Sequence, residues 1–124
     1  MNNKKRNILI VDDDPKHLQT TREILELEGY AVTVHDTPFR TTEIVNKTRP
    51  DLVLLDVNMP ALSGDRLCSL IRSNGTHAGV PILFYSSNDE ESLRASVSLF
   101  GASGYVCKGD IAGLRRRVAQ VLAA

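Results

Sequence analysis

The sequence predicts an α/β fold in which helices cover both faces of a parallel sheet, and two observations carry that expectation. Short, almost continuously apolar runs recur along the chain, as strands buried on both faces require. Each run is followed by a longer stretch whose apolar residues repeat at helical spacing. With 124 residues the chain fits one compact domain, so residues 1–124 are read as a single unit that folds without staples.

The strands are expected at Ile8 to Val11, Ala31 to His35, Leu52 to Leu55, Val80 to Tyr85 and Gly104 to Cys107. After the first, Pro15 suits a first helical turn, Leu18, Thr21, Leu25 and Ile24 share a face, and Gly29 ends the helix. A second helix is expected from near Pro38, carrying Phe39, Ile44 and Val45, although Thr41 and Thr42 are poor helix formers. The third follows Gly64 with Leu67, Leu70 and Ile71 inward, and stops at Asn74-Gly75. Asn88 or Asp89 caps a fourth helix that runs to Phe100 and closes on Gly101. In the fifth, Ile111, Leu114, Val118, Val121 and Leu122 repeat behind an Asp110 cap. Five βα units of this kind usually take the strand order 2-1-3-4-5, the flavodoxin-like doubly wound arrangement, with the ligand crevice at the carboxyl ends of the first and third strands.

Composition narrows the function. Acidic and basic residues cancel at 15 each, which argues against direct nucleic-acid binding. The basic runs Lys4-Lys5-Arg6 and Arg115-Arg116-Arg117 read as a solvated start and a solvated helix face. Cys68 and Cys107 have no metal-ligand spacing and lie in apolar runs, so buried thiols in a reducing cytoplasm are expected. His17, His35 and His77 are scattered. No apolar stretch reaches a membrane span and the polar N-terminus lacks a signal-peptide core, so the expected location is cytoplasmic with no membrane partner.

Asp12, Asp13 and Asp14 follow the first strand and Asp56 follows the third. Taken singly, the first group reads equally well as a helix cap and Asp56 as a turn acid before Asn58-Met59-Pro60. Together they occupy strand ends that the fold makes adjacent. Carboxylates about 5 Å apart repel by roughly 3 kcal/mol per pair at an effective dielectric near 20, a cost that a hard divalent cation offsets. Oxygen ligands with room for phosphate suit Mg2+, or Mn2+ in its place. Ser86 and Ser87 after the fourth strand offer a hydroxyl, and Lys108 after the fifth an ammonium. A lone residue of either type at a strand end is usually only solvated; their convergence on one rim points to metal-assisted phosphoryl chemistry.

Over nearly its whole length the sequence closely resembles the receiver domains of response regulators. The segments that carry the resemblance are ILIVDDDP (8–15), DLVLLDVNMPALSG (51–64), VPILFYSSN (80–88) and GASGYVCK (101–108). The resemblance implies that Asp12, Asp13, Asp56 and the backbone carbonyl of Asn58 hold Mg2+, and that Asp56 accepts a phosphoryl group. It assigns catalytic roles to Lys108 and Ser86, makes Ser86 and Tyr105 the switch pair, and leaves Asn58 and Asn88 to tune the lifetime of the modified state. Asp14 then keeps the capping role. The implied partners are a sensor histidine kinase or histidine phosphotransfer protein upstream and an unidentified protein or output domain downstream, reached through the fourth helix, fifth strand and fifth helix.

Two departures from the family pattern matter. Gly109 stands where receivers usually carry a proline in a cis peptide, so a trans Lys108-Gly109 bond is expected. Ser103 and Gly104 replace the acidic pair that winged-helix regulators use to dimerise through this face. The sequence stops at Ala124, which suggests a stand-alone receiver or a piece of a longer protein. The rival readings are weaker. A non-phosphorylated receiver-like interaction module would lack an acid, hydroxyl or lysine. A haloacid-dehalogenase-like hydrolase needs a second acid two residues after its nucleophile, where Asp56 is followed by Val57-Asn58. A flavodoxin-like cofactor binder needs a phosphate-cradling loop in place of three aspartates.

Overall fold

In the computed structural model, which describes residues 5–123, every apolar run pairs as a parallel strand. The strands β1 (Asn7–Val11), β2 (Ala31–His35), β3 (Leu52–Leu55), β4 (Ile82–Ser86) and β5 (Gly104–Cys107) form one sheet in the order β2-β1-β3-β4-β5. They alternate with α1 (Pro15–Leu27), α2 (Thr41–Thr48), α3 (Gly64–Ser73), α4 (Glu90–Phe100) and α5 (Ile111–Ala123). The flavodoxin-like order expected from five βα units is therefore the one adopted. Lys4, in the first basic run, lies outside the described residues; Arg115, Arg116 and Arg117 are all exposed on α5.

Side-chain alternation along the strands divides the core in two. Leu9, Val11, Val53, Leu55, Ile82 and Phe84 face α2, α3 and α4. Ile8, Ile10, Leu52, Leu54, Leu83 and Tyr85 face α1 and α5 through Leu18, Leu25, Leu114 and Val118. Because both faces are covered, the central strands read as unbroken apolar runs.

The caps account for most helix starts. Asp14 accepts from Lys16 N at 3.1 Å, Asp89 from Ser92 N at 2.8 Å, and Asp110 from Gly113 N at 2.9 Å. Gly101, at φ +82°, closes α4 in the left-handed region.

Four expectations need correction. The second helix begins at Thr41 rather than near Pro38: Arg40 is left-handed (φ 65°), Thr41 Oγ1 bonds to the Pro38 carbonyl, and His35 Nε2 lies 2.6 Å from the Phe39 carbonyl, so residues 36–40 form a tied turn that leaves Phe39 exposed. The fourth strand runs Ile82–Ser86 rather than Val80–Tyr85. Pro81 has no N–H for the ladder, Val80 N turns back to the His77 carbonyl, and at the other end Ser86 pairs with Cys107. Leu70 is 42% exposed, because the buried stripe of α3 runs through Gly64, Leu67, Cys68 and Ile71. Cys68 is buried, and that burial pushes its thiol up to about 11, whereas Cys107 is only half-buried.

Candidate metal and phosphoryl site

Strand register builds the rim. Val11 pairs with Leu55 and Leu55 with Phe84, so the next residues out, Asp12 and Asp56, leave the sheet side by side, with Tyr85 and then Ser86 alongside. Ser86 in turn pairs with Cys107, and the Lys108 N–H reaches the Ser86 carbonyl at 2.9 Å, which sends the lysine side chain across the same edge. One carboxylate oxygen from each of Asp12, Asp13 and Asp56 lies within 4.8 Å of the others. Asp12 and Asp56 are buried and Asp13 is exposed, so the cluster has a sealed floor and an open lip.

Lys108 Nζ donates to Asp12 Oδ2 at 2.9 Å and stands 3.3 Å from Asp56 Oδ2. Burial raises the pKa of Asp56 more than the Lys108 ammonium and the Asn58 N–H lower it, with the Asp12 charge adding to the rise. Burial alone would depress Lys108, but its hydrogen bond to Asp12 and the charge of Asp56 outweigh that and raise it. The clustered carboxylates offer oxygen ligands beside a lip open to solvent, a set that fits a hard divalent ion better than a soft one.

The loop after β3 is fixed by Gly64. A Cβ at that position would run into the Asp56 carbonyl, so only glycine lets α3 start across the back of the phosphoacceptor candidate. The same loop aims Asn58 N at Asp56 Oδ1 (3.1 Å). The Asn58 side chain donates to Asn88 Oδ1 at 2.6 Å and to Ser86 Oγ at 3.3 Å, and Asn88 N donates to the same hydroxyl at 3.4 Å. Ser86 is fully buried.

Tyr105 stands apart from this group. Its hydroxyl donates to Glu90 Oε1 at 2.7 Å and accepts from Arg94 Nη2 at 3.4 Å, which holds the ring over the start of α4. Beside it, between α4 and α5, lies a groove of about 350 Å³ lined by Glu90, Asp110, Arg116 and Arg117 among others. The Lys108–Gly109 peptide is trans, as expected, and Gly109 sits at φ +94°, where a proline could not. Lys108 is held by its two carboxylates instead.

Of the residues singled out in the sequence, Asp12, Asp13, Asp56, Asn58, Ser86, Asn88 and Lys108 come together and Tyr105 is peripheral. Two neighbours were missed. His17 leans over the rim, with Nδ1 3.7 Å from Asp12 Oδ2, and Tyr85 backs it edge-on at 5.7 Å between ring centroids. The available signal for His17 was its place as third residue of α1, since helical side chains slant toward the N-terminus and hence toward the end of β1.

The response regulator receiver domain family profile matches residues 8–119. Among curated relatives, Response regulator MprA of Mycobacterium sp. (strain KMS) is 36% identical over 101 residues, covering 82% of this chain and 43% of that protein. Protein RcaC of Microchaete diplosiphon is 33% identical over 101 residues, covering 82% of this chain and 16% of that protein. The chain thus spans less than half the length of these relatives. Among solved structures, the BeF3-activated N-terminal receiver domain of Klebsiella pneumoniae RstA superposes with a TM-score of 0.85 at 30% identity, covering 96% of this chain and 100% of that one. A two-component response regulator of the LuxR family from Aurantimonas sp. SI85-9A1 gives 0.87 at 28% identity, covering 97% and 86%. Among the described residues no helix is long and apolar enough to cross a membrane.

Proposed function

The chain belongs to the response regulator receiver domain family, and from that premise we propose that residues 1–124 act as one cytoplasmic signalling unit that takes a phosphoryl group onto Asp56. The donor is the phosphohistidine of a sensor histidine kinase or histidine phosphotransfer protein. The observation that carries this reading is the meeting of Asp12, Asp13 and Asp56 within 4.8 Å, with Lys108 bridging two of them. Mg2+, or Mn2+ in its place, would be held by Asp12, Asp13, Asp56 and the Asn58 carbonyl, and when bound supplies positive charge against the oxygens of the transferring group.

The chain's own groups do the rest. An Asp56 carboxylate oxygen attacks phosphorus in line with the imidazole nitrogen; the P–N bond breaks, an acyl phosphate forms, and the imidazole leaves with a proton. Lys108, already 3.3 Å from Asp56, neutralises charge on the phosphoryl oxygens. Both hydrogen bonds recorded at Ser86 Oγ are accepted ones, so its hydroxyl proton can go to an arriving oxygen. Asn58 and Asn88, bonded to each other across the mouth, govern how water reaches phosphorus and hence the lifetime of the product.

The modified Asp56 carries roughly two negative charges, about one more than the carboxylate, on phosphoryl oxygens beside Ser86. Ser86 moves toward them, and Tyr105 leaves Glu90 and Arg94 to fill the space behind it. The groove between α4 and α5 then changes shape for a downstream protein or output domain, without nucleic acid or membrane taking part. Incubation with Mg2+ and phosphoramidate, followed by intact-mass measurement, should show a gain of one phosphoryl group that disappears in Asp56→Asn or in chelator. No gain in the wild type would instead favour a receiver-like interaction module that is never phosphorylated.

A further inference from the structure

One buried polar atom of the rim has no hydrogen-bond partner among the described residues: His17 Nδ1. Buried polar groups in native proteins are nearly always satisfied, so an orphan at a functional rim asks for an explanation. The side chain as a whole is 31% exposed, yet this nitrogen is sealed and turned inward, its ring held edge-on to Tyr85 with the planes at 62°. It lies 3.7 Å from Asp12 Oδ2. That separation is too long for a hydrogen bond and too short for a relaxed water bridge, which spans about 4.5 Å.

Asp12 Oδ2 is also the oxygen that Lys108 holds at 2.9 Å, while Oδ1 accepts from Asp14 N. Lys108 is therefore shared between two tasks. A phosphoryl group on Asp56 replaces the single carboxylate charge with about two on phosphoryl oxygens beside Lys108 and draws Nζ toward them. Asp12 Oδ2 would then lose its hydrogen-bond donor, on a carboxylate that is 3% exposed and keeps only Asp14 N, on its other oxygen, and any metal it ligates; a buried acceptor left short of a donor is costly. The only other donor facing that oxygen among the described residues is the orphaned imidazole nitrogen, less than an ångström beyond hydrogen-bond reach.

We propose that His17 is a positioning residue of the phosphorylated state: as Lys108 turns to the phosphoryl group, His17 Nδ1–H closes on Asp12 Oδ2 and keeps that carboxylate aimed into the cluster. The proposal rests on the phosphoacceptor reading above. It accounts for an imidazole left unsatisfied in the unmodified site, since its partner becomes available only when the lysine departs.

The test compares the 124-residue chain as wild type, His17→Phe and His17→Asn, titrated with beryllofluoride in saturating Mg2+ and followed by amide resonances. Phenylalanine keeps a ring against Tyr85 but has no donor. Asparagine loses the ring but places an amide nitrogen close to where Nδ1 stood. His17→Phe should weaken beryllofluoride affinity about tenfold, and His17→Asn should stay within about threefold of wild type, as loss and retention of one hydrogen bond to a charged group would give. In the wild type, the side-chain nitrogen resonances of His17 should report a hydrogen-bonded Nδ1–H only after beryllofluoride is added. The proposal is overturned if His17→Phe binds as tightly as wild type, or if His17→Asn is the weaker of the two, the pattern expected of packing alone. It is equally overturned if His17→Phe loses Mg2+ affinity by the same factor without beryllofluoride, because His17 would then act on the unmodified site. A wild type that takes up no beryllofluoride at all would sink the phosphoacceptor reading itself and this proposal with it.

Discussion

Asp56 is pulled two ways, with burial favouring its neutral form and Lys108 its charged form, and burial prevails. A carboxyl whose folded pKa lies above its unfolded value takes up its proton first in the folded state, so it favours folding as pH falls through the range just above the ordinary 3.8. In chelator, the stability of wild type relative to Asp56→Asn should therefore rise as pH drops through that window, read from urea midpoints; saturating Mg2+, which favours the carboxylate, should remove the trend. Asp13, on the open lip of the same cluster, should behave as a purely electrostatic burden without metal. Asp13→Asn is expected to raise the metal-free melting temperature by about 2–4 °C while abolishing Mg2+ binding, whereas marked destabilisation would mean that its carboxylate supports the start of α1 alongside the Asp14 cap. At this scale the sequence is informative where a polar residue stands directly after an apolar run, as Asp12, Asp56 and Lys108 do. For His17 the signal is weaker, only its place in the first turn of α1, from which the side chain slants back toward the end of β1.

Elements follow the same logic. Strands β2, β3 and β5 begin and end where the sequence places them, and β1 takes in one more residue, Asn7, which pairs with Ala31. The β4 boundary is displaced at both ends by features that a run of apolar letters conceals: a proline without an N–H at its start, and at its end a serine that still pairs with Cys107. The start of α2 is set by tertiary ties of His35 and Thr41 to the preceding turn, information absent from helical periodicity. Gly64 reads in sequence only as a helix start, yet its lack of a Cβ is what allows α3 to cross the Asp56 carbonyl. Gly64→Ala should consequently destabilise the fold by about 2 kcal/mol or more in urea denaturation and displace the Asn58 N–H from Asp56, lowering the yield of the phosphoramidate reaction beyond what the stability loss explains. Gly109 illustrates a compensating change, since its positive φ takes the place of the family's proline while the ion pairs with Asp12 and Asp56 hold Lys108.

For the molecule as a whole, topology makes the site. The order β2-β1-β3-β4-β5 sets residues far apart in sequence on one edge, and it was anticipated because that is the usual order for five βα units rather than because the residues single it out. What residue order alone leaves open is how the rim is wired: which acid the lysine chooses, that Asn58 and Asn88 bond across the mouth, and that Tyr105 is tethered outward to Glu90. Those details depend on side-chain reach after the backbone is in place. The account requires that the clustered carboxylates be tolerable chiefly because a small hard cation joins them. Calorimetric titration of the metal-free protein with Mg2+ tests this most directly. It should give saturable binding of one ion per chain, accompanied by a rise in melting temperature that Ca2+ at the same concentration does not match; heats no greater than dilution, with an unchanged melting temperature, would contradict it.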